Sequence, residues 1–398
     1  MTWESVAIGI AISVTGFAYV GYPFTLWLIA LTRRRFVTPP LDDWPSVTVT
    51  LPVHNEERVV TQTLDAILAL DYPRERLHVL VVSDASTDAT DQIVHGYADR
   101  GVALIRLPDR AGKSAAENAA RAHLRGDIVV NTDASVRLHP AALKRLVAAF
   151  DDPTVGIASG RDVSVARAGD EVNVGESGYV GYEMWVRDLE TRLGGIVGAS
   201  GCFYASRIPL HMVFVPEALS RDFAAPLIAR EQGYRSVSIS DAVCYVPRTS
   251  SLQKEYRRKV RTMTRGIETL YFKRRLLNPL QYGSFAWKLI CHKLVRWLVP
   301  WAVVVGGFGL AGLADDAAWA RAALIGMGIL AATGAVAWWW PGRTAMPRII
   351  GIPAYVFWGL TAGIHSWIKV LCGDLNPIWE PTRRDPVEAA AGRMPGDT

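Results

Sequence analysis

Residues 127–135 read DIVVNTDAS, which predicts a buried strand that ends in a carboxylate, Asp133, and is followed at once by a turn. Residues 77–84 read LHVLVVSD and predict a similar strand that ends at Asp84. An open α/β sheet presents its ligand-binding groups at the carboxyl ends of its strands. A carboxylate there can hold a divalent metal ion, and the metal can hold a diphosphate. The two strands therefore predict a metal and phosphate site at the edge of an α/β sheet.

Strand and helix patterns alternate from Ser46 to about Ala242. The expected strands cover residues 47–52, 77–83, 102–107, 127–132 and 155–159. The helical patterns between them cover residues 56–70, 88–100, 114–125 and 140–150. This alternation predicts a mostly parallel sheet with helices on both faces. A longer helix is expected at 171–193, followed by a weaker region with strands at 198–207 and 236–243.

The N-terminal run from Val6 to Leu31 is almost wholly apolar and long enough to cross about 30 Å of hydrocarbon. Three arginines, residues 33–35, follow it. A cleaved signal peptide carries its positive charge before the apolar run, so this run is expected to be a retained membrane helix. The positive-inside rule then places the N-terminus outside and the segment after the arginines in the cytoplasm.

Three further apolar runs lie near the C-terminus, at residues 297–313, 317–340 and 349–371. Three full crossings would leave the tail outside, whereas the pair Arg383 and Arg384 favours the cytoplasmic side. The sequence therefore leaves the number of crossings open. Residues 251–277 are strongly basic with apolar residues at helical spacing, which predicts an amphipathic helix on the membrane surface.

The composition favours a protein with one large globular domain plus membrane helices. Hydrophobic residues make up 50% of the 398 residues, and the mean hydropathy is +0.15. The net charge of +5 is concentrated near the apolar runs, which indicates contact with membrane lipids and no nucleic-acid partner. The four cysteines are far apart, so neither a zinc site nor a disulfide framework is expected.

Three loops after predicted strands carry polar groups suited to a nucleotide ligand. Residues 52–57 read PVHNEE, in which Asn55 either contacts a nucleotide or caps the next helix. Asp84 can accept hydrogen bonds from a nucleobase or a ribose. Lys113 follows Gly112 at the start of a predicted helix, where cations and backbone N–H groups attract phosphate. The stretch around Gly112 and Lys113 is not a Walker motif, because the upstream glycine is missing, and no G-x-G-x-x-G stretch follows a predicted strand.

Asp133 and Asp222 are the candidates for metal binding and for proton transfer. A Mg²⁺ or Mn²⁺ ion at Asp133, with Ser135 two residues further on, would stabilise a departing diphosphate. Asp222 lies in the stretch SRDF, residues 220–223, at the start of a predicted helix. Its carboxylate either takes a proton from an attacking hydroxyl or caps the helix.

Together these motifs resemble the family 2 glycosyltransferases over residues 52–384. The resemblance is to the membrane-embedded processive-type group, which includes bacterial cellulose synthase, hyaluronan synthase and poly-N-acetylglucosamine synthase. It implies a GT-A fold, a nucleotide-sugar donor that is usually UDP-linked, Mg²⁺ or Mn²⁺, and an inverting displacement. The acceptor implied is a polysaccharide or a lipid-linked glycan.

The resemblance also implies roles for individual residues. Glu56 matches the family's P-x-x-N-E contact with the donor nucleotide, and Asp84 matches the aspartate that holds the uridine. Lys113 and Asn118 match the G-K…N segment beside the donor, and Asp133 matches the first acid of the D-x-D metal motif.

On the acceptor side, Gly201 falls in the small-residue strand at 200–204, and Asp222 matches the catalytic base. Arg261 matches the arginine of the interfacial Q-x-x-R-W segment, with Arg265 one turn further along. Residues 379–383, WEPTR, resemble a tail found in many members.

Four positions depart from the family pattern. Ser135 replaces the second acid of the D-x-D motif, and Arg221 replaces the acid before the base. Arg258 stands in place of the glutamine, and Thr262 stands where the acceptor-stacking tryptophan would be. The tryptophan gives processive enzymes a stacking platform for the growing chain, so its absence weakens the prediction of processive synthesis.

The sequence thus predicts an enzyme in the inner membrane of a bacterium, with its catalytic domain in the cytoplasm. The expected division is an N-terminal membrane helix at 1–32, a GT-A domain at 46–250, interfacial helices at 251–296, membrane helices at 297–372 and a polar tail at 373–398. The alternative is a transporter or assembly scaffold for glycan export that binds a nucleotide without catalysis. A pure binding module has no use for a base, so Asp222 argues against it.

Overall fold

The structure, a computed structural model, describes residues 2–38, 41, 43–165, 174–247, 251–340 and 346–374. The expected tail beyond residue 374, with its resemblance at 379–383, lies outside the described residues, as does the start of the helix expected at 171.

One eight-stranded sheet forms the centre of the molecule, in the order β3-β2-β1-β4-β7-β6-β8-β5. The strands are β1 Val47–Val53, β2 Leu77–Ser83, β3 Val102–Arg106, β4 Ile128–Thr132, β5 Arg137–Leu138, β6 Val155–Val165, β7 Phe203–Arg207 and β8 Arg235–Pro247.

The first half of the sheet is parallel, because β1 pairs in parallel with both β2 and β4, and β2 pairs in parallel with β3. The second half is mixed: β7 runs antiparallel to β4 and β6, while β6 and β8 are parallel. The mostly parallel sheet with flanking helices confirms the predicted fold class. The parallel half brings the carboxyl ends of β1, β2 and β4 to one edge.

Strands β6 and β8 continue well beyond the predicted ends at 159 and 243. Their outer halves pair with each other as far as Val165 and Pro247. Only the first six residues of β6 are fully buried, and the rest are exposed or half-buried. A strand that emerges from the core loses its apolar run, so its sequence no longer identifies it as a strand.

The helices lie on both faces of the sheet and beside it. They are α1 Trp3–Gly16, α2 Tyr22–Ala30, α3 Val60–Leu68, α4 Thr90–His95, α5 Lys113–Ala120, α6 Ala142–Val147, α7 Val174–Arg192, α8 Ile208–His211, α9 Arg221–Glu231, α10 Leu252–Phe272, α11 Pro279–Tyr282, α12 Ser284–Leu289, α13 Arg296–Gly312, α14 Ala318–Trp338 and α15 Arg348–Leu371. Short π-helical segments, Phe17–Gly21 and Ile290–Val295, join α1 to α2 and α12 to α13.

Helix α3 begins at Val60, later than the predicted residue 56, because the loop before it is fixed by side chains. Asn55 has a φ of +54° and accepts a hydrogen bond at 2.7 Å from the Thr87 N–H. The N–H of Glu56 donates to Thr90 Oγ1 at 2.8 Å. These contacts join the loops after β1 and β2, so both loops lie at the same sheet edge.

Four helices are long and apolar enough to cross a membrane, counted over the described ranges: Trp3–Ala30, Ser284–Gly312, Ala318–Trp338 and Arg348–Leu371. The second helix begins before residue 297, where its apolar run was predicted to start. The sequence did not indicate the earlier start, because the first turns carry the polar residues Lys288 and His292. Both side chains are buried against protein.

A buried polar network joins the first of these helices to α7 and to the helix that starts at Ser284. Tyr22 donates to Glu190, and His292 contacts Glu190 at 2.7 Å and Glu183 at 3.0 Å. Arg296 donates to Glu183 at 2.8 Å. Buried carboxylates require such partners, so α7 is held against these apolar helices by charge as well as by apolar packing.

Candidate active site

Asp84 shapes the loop that precedes α5. Its side chain is 1% exposed, and its carboxylate accepts hydrogen bonds from the N–H groups of Ala111 at 2.7 Å and Gly112 at 2.9 Å. Gly112 has a φ of +93°, which glycine adopts without strain. This turn places Lys113 at the first position of α5. The predicted contact between Asp84 and a nucleobase stays a prediction, and the observed role is to position the loop.

Lys113 joins three segments at the sheet edge. Its Nζ lies 2.5 Å from Asp133 Oδ1, just beyond β4, and 2.9 Å from the carbonyl oxygen of Gly201, before β7. Burial alone would lower the pKa of the Lys113 ammonium, but the carboxylates of Asp133 and Glu117 outweigh it and raise the pKa above its ordinary value. Lys113 is therefore positively charged at neutral pH.

Asp222 approaches the same cluster from the first turn of α9. A Cβ atom built on Gly201 would lie 2.8 Å from Asp222 Oδ2, so a larger residue at 201 would force this carboxylate to shift. The Ser220 hydroxyl donates to Asp222 Oδ1. Ser220 occupies the N-cap position of α9, and Asp222 lies inside the helix. Asp222 therefore lies beside Lys113 and Gly201 instead of capping the helix.

Behind this cluster lies a buried ion pair, Glu117 with Arg221, that the sequence did not predict. Glu117, 2% exposed, has its Oε2 3.5 Å from Nε of Arg221, which is 4% exposed. Burial raises the pKa of Glu117, and the cations Lys113 and Arg221 partly offset that effect. Glu117 lies four residues after Lys113 on one helix, a spacing at which side chains meet. The four-residue spacing from Lys113 was the one signal in the sequence that could have identified Glu117 as part of the site.

Arg221 stands where the family pattern has an acid, and its contacts hold the surrounding segments together. It donates to Oδ1 of Asn118 and, at 3.2 Å, to the carbonyl oxygen of His211. Asn118 also donates to the carbonyl oxygen of Val215 at 2.9 Å. The Asn118 side chain is thus engaged with the loop before α9. Its predicted contact with the donor is untested.

Arg265 ties α10 to the site. Its Nη2 donates to Ser114 Oγ at 2.7 Å and to the carbonyl oxygens of Glu217 at 2.8 Å and Leu219 at 2.6 Å. Burial lowers the pKa of Arg265, although Asp222 and Glu117 act in the opposite direction. Arg261 is half-buried one turn earlier on the same helix. The contacts of Arg265 therefore join α10 to the start of α5 and to the segment before α9.

A divalent cation at this site would need waters and substrate phosphates as ligands besides the protein carboxylate. Among the residues described, no group of three or more His, Cys, Asp or Glu side chains could hold a metal ion. Asp133 provides a carboxylate that is partly exposed, 21% for its side chain. Mg²⁺ is commonly held by one or two carboxylates, waters and substrate phosphates. The residues present fit that mode of binding.

Comparison with known proteins agrees with this geometry. Residues 48–191 match the family model described as Glycosyl transferase family 2, which confirms the predicted family 2 domain in that segment. Over 222 residues the chain is 28% identical to an N-acetylglucosaminyltransferase of Rhizobium sp., covering 51% of this chain and 48% of that protein. Over 117 residues it is 35% identical to a beta-monoglucosyldiacylglycerol synthase of Synechocystis sp., covering 28% of this chain and 24% of that protein. The chain spans a quarter to a half of the length of these curated relatives.

A solved structure resembles nearly the whole chain. It is the mannosyltransferase PcManGT from Pyrobaculum calidifontis in complex with GDP-Man and Mn²⁺. The TM-score is 0.70 at 25% identity, and the match covers 93% of this chain and 99% of that one. The likeness therefore extends beyond the sheet to the helices that follow it.

Proposed function

We propose that this protein is a membrane-bound, inverting glycosyltransferase that moves a sugar from a nucleotide-sugar donor to a lipid-linked acceptor. The observation that carries the proposal is the cluster of Asp133, Lys113, Gly201 and Asp222 at the carboxyl edge of the sheet. It combines a phosphate-neutralising cation, a carboxylate for a metal and a second carboxylate that can accept a proton. A binding scaffold would need only the first two.

The proposed reaction requires opposite charges on its two sides. The donor diphosphate gains negative charge as its bond to the sugar breaks, and the ammonium of Lys113 would stabilise that charge in a site already ordered for it. The acceptor hydroxyl loses its proton as it attacks the sugar carbon, and Asp222 would accept the proton. Because attack comes from the face opposite the leaving diphosphate, the anomeric configuration is inverted.

A divalent metal ion would complete the donor site. Asp133 would hold it, and the metal would neutralise the diphosphate as it leaves. The neighbour from Pyrobaculum, solved with GDP-Man and Mn²⁺, supports this expectation. The nucleobase of the nucleotide-sugar donor stays open, because that neighbour holds a guanosine nucleotide whereas the family resemblance favours uridine.

A lipid-linked acceptor is favoured over a growing polysaccharide. Thr262, at the position of the stacking tryptophan, is exposed on α10 and offers no aromatic platform. Helix α10 packs against α15, one of the four helices able to cross a membrane. The acceptor side of the cluster would therefore face the lipid headgroups on the cytoplasmic side of the inner membrane. The relative named as a beta-monoglucosyldiacylglycerol synthase supports this choice.

Release of nucleoside diphosphate from a panel of UDP- and GDP-sugars would test the proposal. The purified protein would be assayed in detergent with and without a bacterial lipid extract, with added Mn²⁺ or Mg²⁺. We expect release that depends on lipid and stops when excess chelator is added. Donor binding without any release under all these conditions would favour the non-catalytic scaffold.

A further inference from the structure

A small cavity lies where α9 and β8 meet the helix that begins at Ser284. Its volume is about 40 Å³, room for a few water molecules or one small anionic group. The wall consists of the turn at 194–196, the second half of α9, the start of β8 and the first turns of the helix from Ser284. It is therefore a junction between the sheet domain and a candidate membrane helix.

The wall of this cavity is positively charged. Arg230, Arg235 and Lys288 line it, and no acidic side chain is among its lining residues in the described part of the chain. Arg235 is paired with Asp152 outside the cavity. Lys288 is 2% exposed and donates to two backbone carbonyl oxygens, of Gly195 and, at 3.1 Å, of Leu193. Carbonyl oxygens satisfy its N–H groups without neutralising its charge.

Two donors at the cavity have no partner. Nε of Arg230 and Oγ of Ser236 are buried and form no hydrogen bond within the described residues. Ser236 is 3% exposed. A buried polar group without a partner requires an explanation, and a bound ligand is one. A guanidinium, an ammonium and a hydroxyl that line one small space match a phosphate group, which accepts several charge-assisted hydrogen bonds.

The position of the cavity indicates the source of the phosphate. Exposed apolar side chains lie in the segments that lead to the helix from Ser284, at the end of α10 and in α11: Leu280 is 96% exposed, Tyr271 65% and Phe272 55%. Such side chains beside the first turn of an apolar helix are typical of the membrane interface. We infer that the cavity binds the phosphate of an anionic phospholipid headgroup in the leaflet that faces the sheet domain. This inference rests on the proposed membrane insertion and not on the proposed transfer reaction.

The same helix carries the proposed base and the cavity. Asp222 lies in the first turn of α9, and Arg230 follows eight residues later, roughly 12 Å along the helix axis. A headgroup bound at Arg230 and Lys288 would join the end of α9 to the membrane helix. Anionic lipid should therefore stabilise the folded protein, and it should do so without donor or acceptor.

Thermal denaturation of the full chain in lipid nanodiscs tests this inference. The discs would contain phosphatidylcholine alone or with increasing phosphatidylglycerol, and a separate detergent series would contain inorganic phosphate. The variants are Arg230→Gln and, as a matched control, Arg275→Gln, which removes an exposed charge from the neighbouring surface and not from the cavity. Native mass spectrometry would count bound phosphatidylglycerol. Repeating the series on Asp222→Asn protein separates lipid binding from transfer.

We expect phosphatidylglycerol to raise Tm in a saturable manner, and Arg230→Gln to weaken its binding about tenfold while Arg275→Gln leaves it unchanged. An equal effect of both substitutions would show diffuse attraction of lipid to a basic surface and would overturn the inference. Stabilisation by inorganic phosphate but not by phosphatidylglycerol would identify a site for soluble phosphate and overturn the lipid source. Asp222→Asn protein that binds lipid but transfers no sugar would leave the inference standing.

Discussion

The site depends on single carboxylates whose neighbours differ. Asp133 forms an ion pair with a lysine, Asp84 accepts hydrogen bonds from backbone N–H groups, and Asp222 lies against a glycine. Each arrangement gives its carboxylate a different task, so substitutions at these positions should fail in different ways.

Replacing the proposed base tests the proton transfer. Asp222→Asn keeps the shape of the side chain but removes its ability to accept a proton, so we expect turnover to fall about 10²–10⁴-fold with donor binding retained. Initial rates of sugar transfer and isothermal titration of the donor would measure both quantities. A variant with full turnover would exclude Asp222 as the base.

Gly201→Ala tests the close approach between Gly201 and Asp222. The added Cβ would meet Asp222 Oδ2 at 2.8 Å and displace the carboxylate, so we expect a large loss of turnover with little change in Tm. Gly178→Ala is the control, since a Cβ there meets no atom within 4 Å. Equal rates for the two variants would contradict the proposed geometry.

Reversing the buried pair behind the site tests its electrostatic role. Arg221→Glu and Glu117→Arg should each lower stability by about 3–5 kcal/mol, because each leaves two like charges buried together. The double variant should recover part of that loss, since opposite charges again face each other. Denaturation of the four proteins gives the coupling energy, and additive losses in the double variant would show that the pair does not interact.

His211 predicts a pH dependence of stability. Burial, with help from Arg221 and Arg121, lowers its pKa from an ordinary 6.5 to about 3. The unfolded chain therefore binds a proton that the folded protein does not, and stability falls as the pH drops below 6.5, by about 2 kcal/mol at pH 5. His211→Gln should reduce the difference in Tm between pH 7 and pH 5, whereas the exposed control His123→Gln should not.

At the scale of elements, the sequence pattern of α10 gave the most information about how the helix packs. Its apolar spacing identified it as amphipathic, and the structure packs one side of it on α15 and directs Arg265 towards α5. Arg265→Lys keeps the charge but cannot reach three acceptors in a planar arrangement. We expect it to lower turnover several-fold by loosening residues 217–219. Unchanged kinetics in this variant would mean that the charge alone matters.

Several elements could be predicted because their residues repeat at the period of a strand or helix. Strand β1 alternates apolar residues with threonines, and β2 and β4 contain apolar runs at 79–82 and 128–130. The ends of β2 and β4 fixed the positions of Asp84 and Asp133. The pairing of Glu117 with Arg221 was not predictable, since it joins residues about a hundred positions apart. A strand was expected within 198–207, where β7 lies, but its antiparallel direction was not predictable, because strand direction depends on the path of the chain between elements rather than on local pattern.

At the scale of the whole molecule, the sheet domain packs against the apolar helices through two hydrophobic clusters, one around Val186 and Leu189 and one around Phe223 and Leu227. If the four helices cross the membrane, the protein should remain with membranes after washing at high salt and at alkaline pH, and detergent should be needed to release it. Immunoblots of the washed pellet and the supernatant measure this. Release by salt alone would mean that the helices pack only against protein.

The polar network around Glu183 and Glu190 limits where this chain can be cut. Expressing residues 46–250 as a soluble fragment would remove Tyr22, His292 and Arg296, so Glu190 would lose its contacts with the first two, and Glu183 would keep Arg187, 3.5 Å away. Such a fragment would expose to water the apolar face of α7 that packs on Tyr22, Leu26 and Cys291, and it should aggregate. Crystallographers and enzymologists working with this protein would therefore need the intact chain, even to study chemistry that takes place entirely at the sheet edge.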